Sequence, residues 1–323
     1  MKKTIRLGVL GLDTIERTLI PPVKEVEGLE LFGVSTRNKQ EAVVFAEKYG
    51  VANVYDTFEE LLQDKKIDAV YIGTFNTLHR EDILLALQYG KHVVAEKPAT
   101  ISLADYEFLK SEADKRNLIF TEAITLYYMP LTKIILEIVK TKKLGELQYL
   151  LAPFATRKPR DPDNRFFNKE LGGGALFDVG VYALSLCAMC LDTDADYELF
   201  ATGMLAGTGV DDQSVITLKN AKGQMAVTPI TFSARMAKEA TLAFDEGYIV
   251  IDTYPCSEKA TIFYNNGKVE SLTAGDSKKA LAYEMEAFTN DFMKGKYEAT
   301  KQFQKPHYYV QKWLETALSM ITD

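Results

Sequence analysis

The chain has 323 residues, a length that favours two domains over a single core. Its hydrophobic content of 47% and charged content of 26% are ordinary for a globular protein. The net charge of −7 argues against nucleic-acid and membrane partners, and no apolar run approaches the roughly 20 residues that span a bilayer. Three cysteines cannot form a disulfide framework, so we expect a reducing, cytoplasmic location.

Strands and helices alternate through the first 120 or so residues. The pattern predicts strands over 5–11, 29–35, 69–73, 93–95 and 119–120. Helices are predicted after the first strand, where Pro21-Pro22 interrupts the pattern, and over 38–49, 58–63, 80–89 and 103–116. This alternation builds βαβ units, so we expect an α/β fold with a parallel, doubly wound sheet. Residues 1–124 are therefore predicted to be a Rossmann-type NAD(P)-binding domain.

The rhythm changes after Pro130. A helix is predicted over 131–142, another over 174–190, and strands over 147–156, 198–204, 214–218, 224–232, 240–244, 247–251 and 260–264. This pattern predicts an α+β domain over 125–323, built on a large, mostly antiparallel sheet, with tail helices that pack back on the body. Helices cover one face only, so we expect a second copy of the chain on the other face, in a homodimer or homotetramer.

The turn after the first strand carries two glycines and two acids. Gly8 and Gly11 lie between a strand and a helix, the setting of a dinucleotide fingerprint, but Asp13 and Glu16 take the second and third glycine positions counted from Gly11. Two like charges about 4 Å apart cost roughly 1 kcal/mol in water, so Asp13 should weaken phosphate binding if it faces the phosphates. Alternatively, Asp13 and Glu16 have the spacing of a capping box that serves their own helix. Both interpretations remain open.

The second strand ends in Ser35, Thr36 and Arg37. An enzyme that selects NAD usually has an acid here to hold the ribose hydroxyls. A guanidinium and hydroxyls suit a 2′-phosphate instead, which favours NADP(H) over NAD(H). The alternative is an ordinary polar loop before a helix.

Three ionisable side chains, which belong to two motifs, could take part in proton transfer. Lys97 in Glu96-Lys97-Pro98 follows a predicted strand, and ligands of open α/β sheets bind at the carboxyl ends of strands. Asp178 and Tyr182 are four residues apart on a predicted helix. A lysine, an acid and a phenol could exchange a proton with a substrate hydroxyl. By spacing alone, a core role for Tyr182 and a structural role for Asp178 are the favoured alternatives.

Two further clusters have a plain interpretation. Cys187 and Cys190 lie on an apolar helical run, and the three histidines show no metal-ligand spacing, so we expect a buried core and no metal. The loop from Phe154 to Phe167 concentrates basic residues: Arg157, Lys158, Arg160 and Arg165. This cluster could favour an acidic or phosphorylated sugar, although solvated loop cations are the commoner explanation.

Several motifs together resemble the Gfo/Idh/MocA oxidoreductases. In chain order, these motifs are residues 74–79, residues 95–98, the pair Glu122-Ala123 together with Pro130, residues 172–182 and residues 283–288. The resemblance implies a Rossmann domain followed by a sheet domain that often joins subunits. It also implies NAD(P)-dependent oxidation or reduction at a carbon bearing oxygen in sugars, inositols or dihydrodiols.

The resemblance also implies roles for individual residues. Lys97, Asp178 and Tyr182 would be catalytic. The branch of dihydrodiol and xylose dehydrogenases also has a tyrosine at the position of Tyr182, where it is taken as the general acid/base. Arg165 would contact the substrate, as would Tyr127, which stands where that branch often has an arginine. The residues implied in cofactor binding are Gly8, Gly11, Leu12, Asp13, Thr14, Ile15, Ser35, Thr36, Arg37, Thr74, Phe75, Asn76, His79, Glu96, Lys97 and Pro98.

Two functions of different classes follow from these observations. The leading hypothesis is an enzyme that transfers a hydride between NADP(H) and a sugar, inositol or diol-type substrate. The alternative is a catalytically silent family member that acts as a ligand sensor or scaffold, because Asp13 and Glu16 disturb the phosphate turn. A third, weaker hypothesis is a cofactor that is held tightly and never released.

Overall fold

The computed structural model describes residues 4–12, 20–295 and 297–322. The chain divides into two compact units. Unit 1 comprises Met1–Ala123 and Leu281–Gln304, and unit 2 comprises Ile124–Ala280 and Lys305–Asp323. The division of roles between a cofactor domain and a substrate-binding and oligomerisation domain stays a prediction.

Unit 1 is built on six strands. Its first part runs through β1 (Ile5–Leu10), α1 (Ile20–Glu25), β2 (Leu29–Ser35), α2 (Lys39–Tyr49), β3 (Asn53–Val54), α3 (Phe58–Gln63), β4 (Ala69–Ile72), α4 (His79–Gln88), β5 (His92–Ala95), α5 (Leu103–Lys115) and β6 (Phe120–Glu122). All neighbouring strands pair in parallel, in the order β3-β2-β1-β4-β5-β6. The predicted doubly wound sheet is confirmed, and its order reverses between β1 and β4, the switch point where ligands of such sheets bind.

Unit 2 is built on a nine-stranded sheet. The chain continues through α6 (Pro130–Thr141), β7 (Leu147–Leu151), β8 (Phe154–Ala155), α7 (Val181–Cys190), β9 (Tyr197–Leu205), β10 (Asp211–Asn220), β11 (Met225–Thr231), β12 (Ala240–Phe244), β13 (Gly247–Ile251), β14 (Lys259–Tyr264), β15 (Val269–Thr273), α8 (Ala280–Lys294), α9 (Glu298–Lys301) and α10 (Gln304–Thr322). The main strand order is β15-β14-β13-β12-β7-β11-β10-β9. Among the strands that the structure describes in this sheet, only β7 and β8 pair in parallel, both with β11, so the mostly antiparallel sheet is confirmed.

Local sequence sets many of these boundaries. Asn38, Thr57 and Ser102 each accept a hydrogen bond from a backbone N–H in the first turn of the helix that follows. Gly50 ends α2 with φ +70°, a conformation that disfavours side chains. The predicted strand 147–156 is instead two strands, because Pro153 has no N–H to donate to the ladder.

Apolar side chains cover both faces of the parallel sheet in unit 1. Leu7 and Val9 belong to one buried cluster, whereas Leu10 and Ile72 belong to the other. Phe288 of α8 packs in the first cluster and is 1% exposed. A segment from far along the chain therefore completes the core of unit 1, as expected for a parallel sheet that is buried on both faces.

One face of the sheet in unit 2 is partly exposed and rich in large apolar side chains. Phe200 is 62% exposed and Met204 64% exposed. The registers Met225↔Tyr149 and Tyr248↔Phe263 place further large side chains on neighbouring strands of that face, and the Tyr248 and Phe263 rings stack at 4.7 Å. We call this surface the open sheet face.

The segment Lys169–Cys190 is long and apolar enough to cross a membrane by length and composition alone. However, 78% of its most apolar window is buried inside the protein. Core helices of soluble proteins pass the same test, so the segment is weak support for a membrane span.

Candidate functional site

β1 ends at the switch point in a turn that has no room for a side chain. Gly11 has φ +79°, and a Cβ built on it would lie 2.5 Å from Cγ2 of Thr74. The Gly11 N–H donates to the Ser35 carbonyl over 2.9 Å, so the ends of β1, β2 and β4 meet here. Dinucleotide phosphates approach the backbone at this position of such folds, and the glycine fits that requirement. Of the predicted residues beyond Gly11, Leu12 is half-buried, and those from Asp13 to Ile15 lie outside the described residues, as does Glu16.

Gly8 has a packing role within β1. A Cβ built on Gly8 would lie 2.7 Å from Cδ2 of Leu61 and 3.4 Å from two carbons of Ile67. The absence of a side chain therefore lets α3 and the segment before β4 pack against the strand. The predicted contact between Gly8 and the cofactor stays a prediction.

The end of β2 leaves one of its three polar side chains exposed. Ser35 is 0% exposed and Thr36 5% exposed. The Thr36 hydroxyl donates to the Asn38 carbonyl and accepts from the Asn38 N–H, so the loop itself uses both. The Arg37 side chain is 54% exposed. Of the three, Arg37 is therefore the one placed to meet a ligand.

Asp82 of α4 anchors Arg37. Its carboxylate accepts from Nη2 of Arg37 at 3.2 Å and from the Thr74 hydroxyl at 2.7 Å, and its side chain is 6% exposed. Burial raises the pKa of Asp82, whereas the Thr74 hydrogen bond and the Arg37 charge oppose that rise. The guanidinium also lies 5.1 Å from the centroid of the Phe58 ring. These contacts fix the direction in which Arg37 points.

Arg37 borders an open cleft of about 520 Å³ within unit 1. The cleft is lined by Thr36, Arg37, Asp56, Thr57, Phe58, Glu59, Glu81, Asp82 and Leu85. The lining holds four carboxyl groups and one cation, and Asp56 also pairs with Lys39 at 2.6 Å. An anion in this cleft would therefore depend on direct hydrogen bonds from Arg37, because the surrounding charge opposes it.

The loop after β4 is held by buried polar contacts. The His79 ring is 0% exposed and bridges two carbonyls, with Nδ1 at 2.8 Å from Pro98 and Nε2 at 2.9 Å from Thr74. This bridge ties the loop after β4 to the one after β5. Phe75 and Asn76, also predicted to bind the cofactor, are half-buried on the first loop.

The predicted Lys97 motif begins just past the end of β5. Glu96 and Lys97 are half-buried, and Pro98 is buried behind a cis peptide bond. The Tyr71 hydroxyl donates a hydrogen bond of 2.6 Å to the Glu96 carboxylate, and the Ala99 N–H donates one of 3.0 Å to the Glu122 carboxylate. Lys97 is therefore placed at the carboxyl end of a strand, as predicted, between two anchored neighbours.

A third carboxyl group lies close to Glu96 and Glu122. Glu284 of α8 is 1% exposed, and neither of its carboxyl oxygens has a hydrogen-bond partner among residues 4–12, 20–295 and 297–322. Burial raises the pKa of Glu284 well above its ordinary value, and the nearby charges of Glu96 and Glu122 raise it further. Burial and the neighbouring carboxyl groups therefore both favour the neutral, protonated form of Glu284.

Three consecutive glycines in unit 2, Gly172, Gly173 and Gly174, form a triplet that makes room for protein atoms. A Cβ on Gly173 would lie 2.7 Å from the Arg165 carbonyl oxygen, and one on Gly174, where φ is +126°, would collide with Oδ1 of Asp211. Oδ2 of Asp211 accepts from the Leu176 N–H at 2.7 Å, and burial raises the pKa of this carboxyl to about 6. The space beside these glycines is thus filled by a loop and a carboxylate of this same chain.

The two predicted catalytic residues of unit 2 follow that triplet. Asp178 lies in a π turn (Leu176–Gly180), and Tyr182 lies in the first turn of α7. Nζ of Lys158 is 3.3 Å from Oδ2 of Asp178. The Tyr182 ring stacks on Phe154 at 5.8 Å with an interplanar angle of 18°. The acid therefore has a charge partner, and the phenol has a fixed ring plane.

The predicted substrate residues have different surroundings. Tyr127 is 0% exposed, its hydroxyl donates to Ser185 over 3.2 Å, and its ring meets His307 edge to face. The Arg165 guanidinium is half-buried over the Phe166 ring at 4.3 Å. Tyr127 thus serves the interior of unit 2 in this structure, and contact of either residue with a substrate stays a prediction.

Cys187 and Cys190 are buried and free. Burial raises the pKa of Cys187 above its usual range and that of Cys190 to about 12, so both are held as unreactive thiols. In the part of the chain that the structure describes, no group of three or more His, Cys, Asp or Glu residues could hold a metal ion.

Two family models match most of the chain. Residues 5–124 match an oxidoreductase family with an NAD-binding Rossmann fold, and residues 133–250 match the GFO/IDH/MocA C-terminal domain. The chain belongs to the GFO/IDH/MocA oxidoreductase family. Members are NAD(P)-dependent oxidoreductases, so the predicted enzyme class and the predicted family are both confirmed.

The chain is similar to curated GFO/IDH/MocA dehydrogenases over most of its length. It is 30% identical to a trans-1,2-dihydrobenzene-1,2-diol dehydrogenase of Xenopus laevis, over 74% of this chain and 71% of the relative. It is 27% identical to a scyllo-inositol 2-dehydrogenase (NADP(+)) of Bacillus subtilis, over 97% and 96%.

A solved structure shares the fold of this GFO/IDH/MocA chain. It is a 3-ketoreductase from Actinomadura kijaniata, solved with NADP and TDP-benzene, with a TM-score of 0.85, 23% identity, and coverage of 98% of this chain and 97% of that one. At that identity the likeness supports the fold alone.

Some residues around the GFO/IDH/MocA motifs gave no signal in the sequence. Asp211 is a buried acid whose partner Leu176 comes from a distant segment, so it lies in no local pattern. Glu284 belongs to the 283–288 motif, but only the structure shows that it is buried near Glu96 and Glu122. Arg235, which lines a cleft with Arg157 and Arg160, stands outside the basic loop singled out above. The pairing of β8 with β11 brings these basic segments together, and only the sheet topology shows it.

Proposed function

We propose that the chain transfers a hydride between NADP(H) and a carbon bearing a hydroxyl or carbonyl oxygen in a sugar, inositol or diol-type substrate. The observation that carries this proposal is the anchored, half-exposed Arg37 at the end of β2, beside the glycine-only turn of the switch point. A guanidinium donates to a phosphate through two parallel hydrogen bonds, which suits the 2′-phosphate that distinguishes NADP from NAD.

Relatives support the substrate class and the cofactor. Curated relatives are named for action on a dihydrodiol and on scyllo-inositol, the second with NADP(+). The 3-ketoreductase was solved with NADP, and also as variants in which a lysine or a tyrosine is replaced. Those variants draw attention to a lysine and a tyrosine, the residue types of Lys97 and Tyr182.

The proposed roles of the chain's own residues follow from their chemistry. When bound, the nicotinamide cofactor supplies or accepts the hydride. The Lys97 ammonium donates a hydrogen bond to the substrate oxygen, Tyr182 gives up or takes the hydroxyl proton, and Asp178 accepts from a substrate hydroxyl. Stacking on Phe154 holds the Tyr182 ring in one plane, so its hydroxyl points in one direction.

We further propose that the chain forms a homodimer or homotetramer through the open sheet face. Contiguous exposed apolar side chains on a sheet mark an interaction surface, and Phe200, Met204 and Tyr248 contribute to this one. The net charge of −7 and the low count of three cysteines, too few for a disulfide framework, support a cytoplasmic protein without nucleic-acid or membrane partners.

Cofactor titration followed by a substrate survey tests the proposal. NADPH and NADH are titrated while the quench of Trp313 fluorescence and the energy transfer to the nicotinamide are recorded. NADP⁺ is then assayed with sugars, inositols, diols and sugar acids. Tighter binding of NADPH than of NADH, together with NADP⁺ reduction by at least one of these classes, supports the proposal. No binding of either cofactor at millimolar concentration contradicts it.

A further inference from the structure

A second cleft, in unit 2, is lined by four cations. It has a volume of about 630 Å³, within the range of clefts that bind small molecules. The lining residues are Arg157, Lys158, Pro159, Arg160, Ser233 and Arg235. We call it the basic cleft, and its sign is opposite to the net charge of −7 of the whole chain.

The sheet topology builds the basic cleft from two segments. β8 pairs in parallel with β11, and the pairing continues beyond both strands, since the Thr156 N–H donates to the Thr231 carbonyl and the Lys158 N–H to the Phe232 carbonyl, each over 3.0 Å. Arg157 and Arg235 therefore reach one cleft from two neighbouring segments. The cluster belongs to the fold and is more than a run of basic residues in one loop.

Two of the four cations have carboxylate partners. Lys158 pairs with Asp178 at 3.3 Å, and its Nζ lies 3.5 Å from the centroid of the Phe166 ring. Arg160 pairs with Asp212, a side chain that is 3% exposed, and donates to the Ser233 hydroxyl over 2.7 Å. These contacts neutralise and position the two cations on the wall of the cleft.

The other two cations have no such compensation. Arg157 and Arg235 are exposed, and neither forms an ion pair or hydrogen bond with another residue in the described ranges 4–12, 20–295 and 297–322. Four cations less the two carboxylates of Asp178 and Asp212 leave a charge of about +2 at the cleft. Two like charges that share a concave site repel each other, and an anion bound between them removes that repulsion.

We infer that the basic cleft binds an anionic group of the substrate, a phosphate or a carboxylate, through Arg157 and Arg235. Guanidinium groups form paired hydrogen bonds with both kinds of anion. The inference rests on the proposed function, because it assigns the anion to the molecule that is oxidised or reduced. Lys158 supplies the link within unit 2, since it lines the basic cleft and also pairs with Asp178, a predicted catalytic residue.

Calorimetric titration tests the inference without requiring turnover. Glucose, glucuronate, glucose 6-phosphate and inorganic phosphate are each titrated into the full chain and into the double variant Arg157→Gln/Arg235→Gln. The double variant Lys133→Gln/Lys279→Gln is the control, because it removes the same charge from two exposed lysines of unit 2 that lie outside the cleft. Repetition at two salt concentrations reports on screening.

The expected result is that one or both anionic sugars bind at least about tenfold more tightly than glucose and more weakly at high salt. The arginine variant loses this preference, whereas the control keeps it. Tighter binding of glucose 6-phosphate identifies a phosphate, and tighter binding of glucuronate a carboxylate. Equal binding of neutral and anionic sugars, or an unchanged preference in the arginine variant, overturns the inference. Selective binding of an anionic sugar without hydride transfer from NADPH or to NADP⁺ contradicts the proposed function and leaves the anion site standing.

Discussion

Nη2 of Arg37 lies 3.2 Å from Oδ1 of Asp82, which joins a guanidinium that is 54% exposed to a carboxylate that is 6% exposed. The buried acid fixes one side of a guanidinium that lines the 520 Å³ cleft, and about half of the side chain stays exposed. An arginine held in this way loses little freedom when it binds a phosphate, because its conformation is already set.

Replacement of Arg37 should therefore weaken NADPH binding selectively. We expect Arg37→Gln to raise the Kd for NADPH about tenfold or more, because a hydrogen bond to a charged group contributes about 1.5–3 kcal/mol. NADH binding should change little. Fluorescence titration with both cofactors measures the difference, and Arg116→Gln, at the C-cap that follows α5, removes an equal charge as a control. Equal losses for the two cofactors would remove Arg37 as the basis for the preference.

The Gly11 turn allows a paired glycine experiment. Gly11→Ala places a Cβ 2.5 Å from Thr74 at φ +79°, whereas Gly50→Ala meets nothing within 4 Å at φ +70°. Both variants carry the backbone strain, roughly 1–2 kcal/mol, but only the first carries the collision, roughly 1–3 kcal/mol more. Urea unfolding should show the larger loss for Gly11→Ala, together with weakened cofactor binding. Similar losses would mean that the turn can relax around a side chain.

Glu284 should make stability depend on pH. Its pKa is raised in the folded chain, so the native state holds a proton that the unfolded chain releases above about pH 4.5. The free energy of unfolding should fall as the pH rises from there towards the folded-state pKa. Glu284→Gln removes this dependence. As the pH rises to the folded-state pKa of Glu284, the variant should therefore gain stability relative to the parent, by about 1.4 kcal/mol in total for each unit by which folding raises that pKa.

The control for Glu284 lies on the same helix. Glu286 is exposed and two residues away, so Glu286→Gln should leave the pH dependence of unfolding as it is in the parent. Unfolding curves between pH 4 and pH 8 compare the three proteins. A parent and a Glu284→Gln variant with parallel pH profiles would show that Glu284 is ionised in the folded chain.

Asp13→Gly addresses the acids in the phosphate turn. If Asp13 faces the phosphates, its removal relieves about 1 kcal/mol of repulsion in water, and cofactor binding should tighten about fivefold. If Asp13 instead caps its own helix, the variant should lose only a few tenths of a kcal/mol of stability, because glycine is itself a tolerated N-cap, and should gain no affinity. Titration and urea unfolding of the one variant separate these outcomes. A variant and a parent that both fail to bind either cofactor would favour the silent ligand sensor or scaffold.

Local patterns were sufficient for much of the fold. Helix caps at Asn38, Thr57 and Ser102 and the stop at Gly50 could be read from single residues, because each cap satisfies backbone groups of its own helix. β15 was not predicted, since its five residues include only two large apolar ones. The π turn of Leu176–Gly180 was not predicted either, because a change of hydrogen-bond register leaves no compositional trace.

The candidate site was less predictable than the fold. Ser35 and Thr36 gave the same polar signal as Arg37, yet they are buried, and only the structure separates them. The buried acids Asp211 and Glu284 and the cation Arg235 depend on contacts between distant segments, which spacing along a chain does not reveal. The family resemblance indicated which residue types matter, but it gave no account of their partners.

The most direct test of hydride transfer by this chain is single-turnover oxidation of NADPH in the parent, Tyr182→Phe and Lys97→Met. It uses the carbonyl form of whichever substrate the survey identifies. General acid–base groups contribute about 10²–10⁴-fold, so we predict a rate loss of at least about 100-fold in each variant at saturating NADPH, with the NADPH affinity of Tyr182→Phe within about threefold of the parent. Rates in both variants that match the parent, at equal cofactor occupancy, would contradict the account.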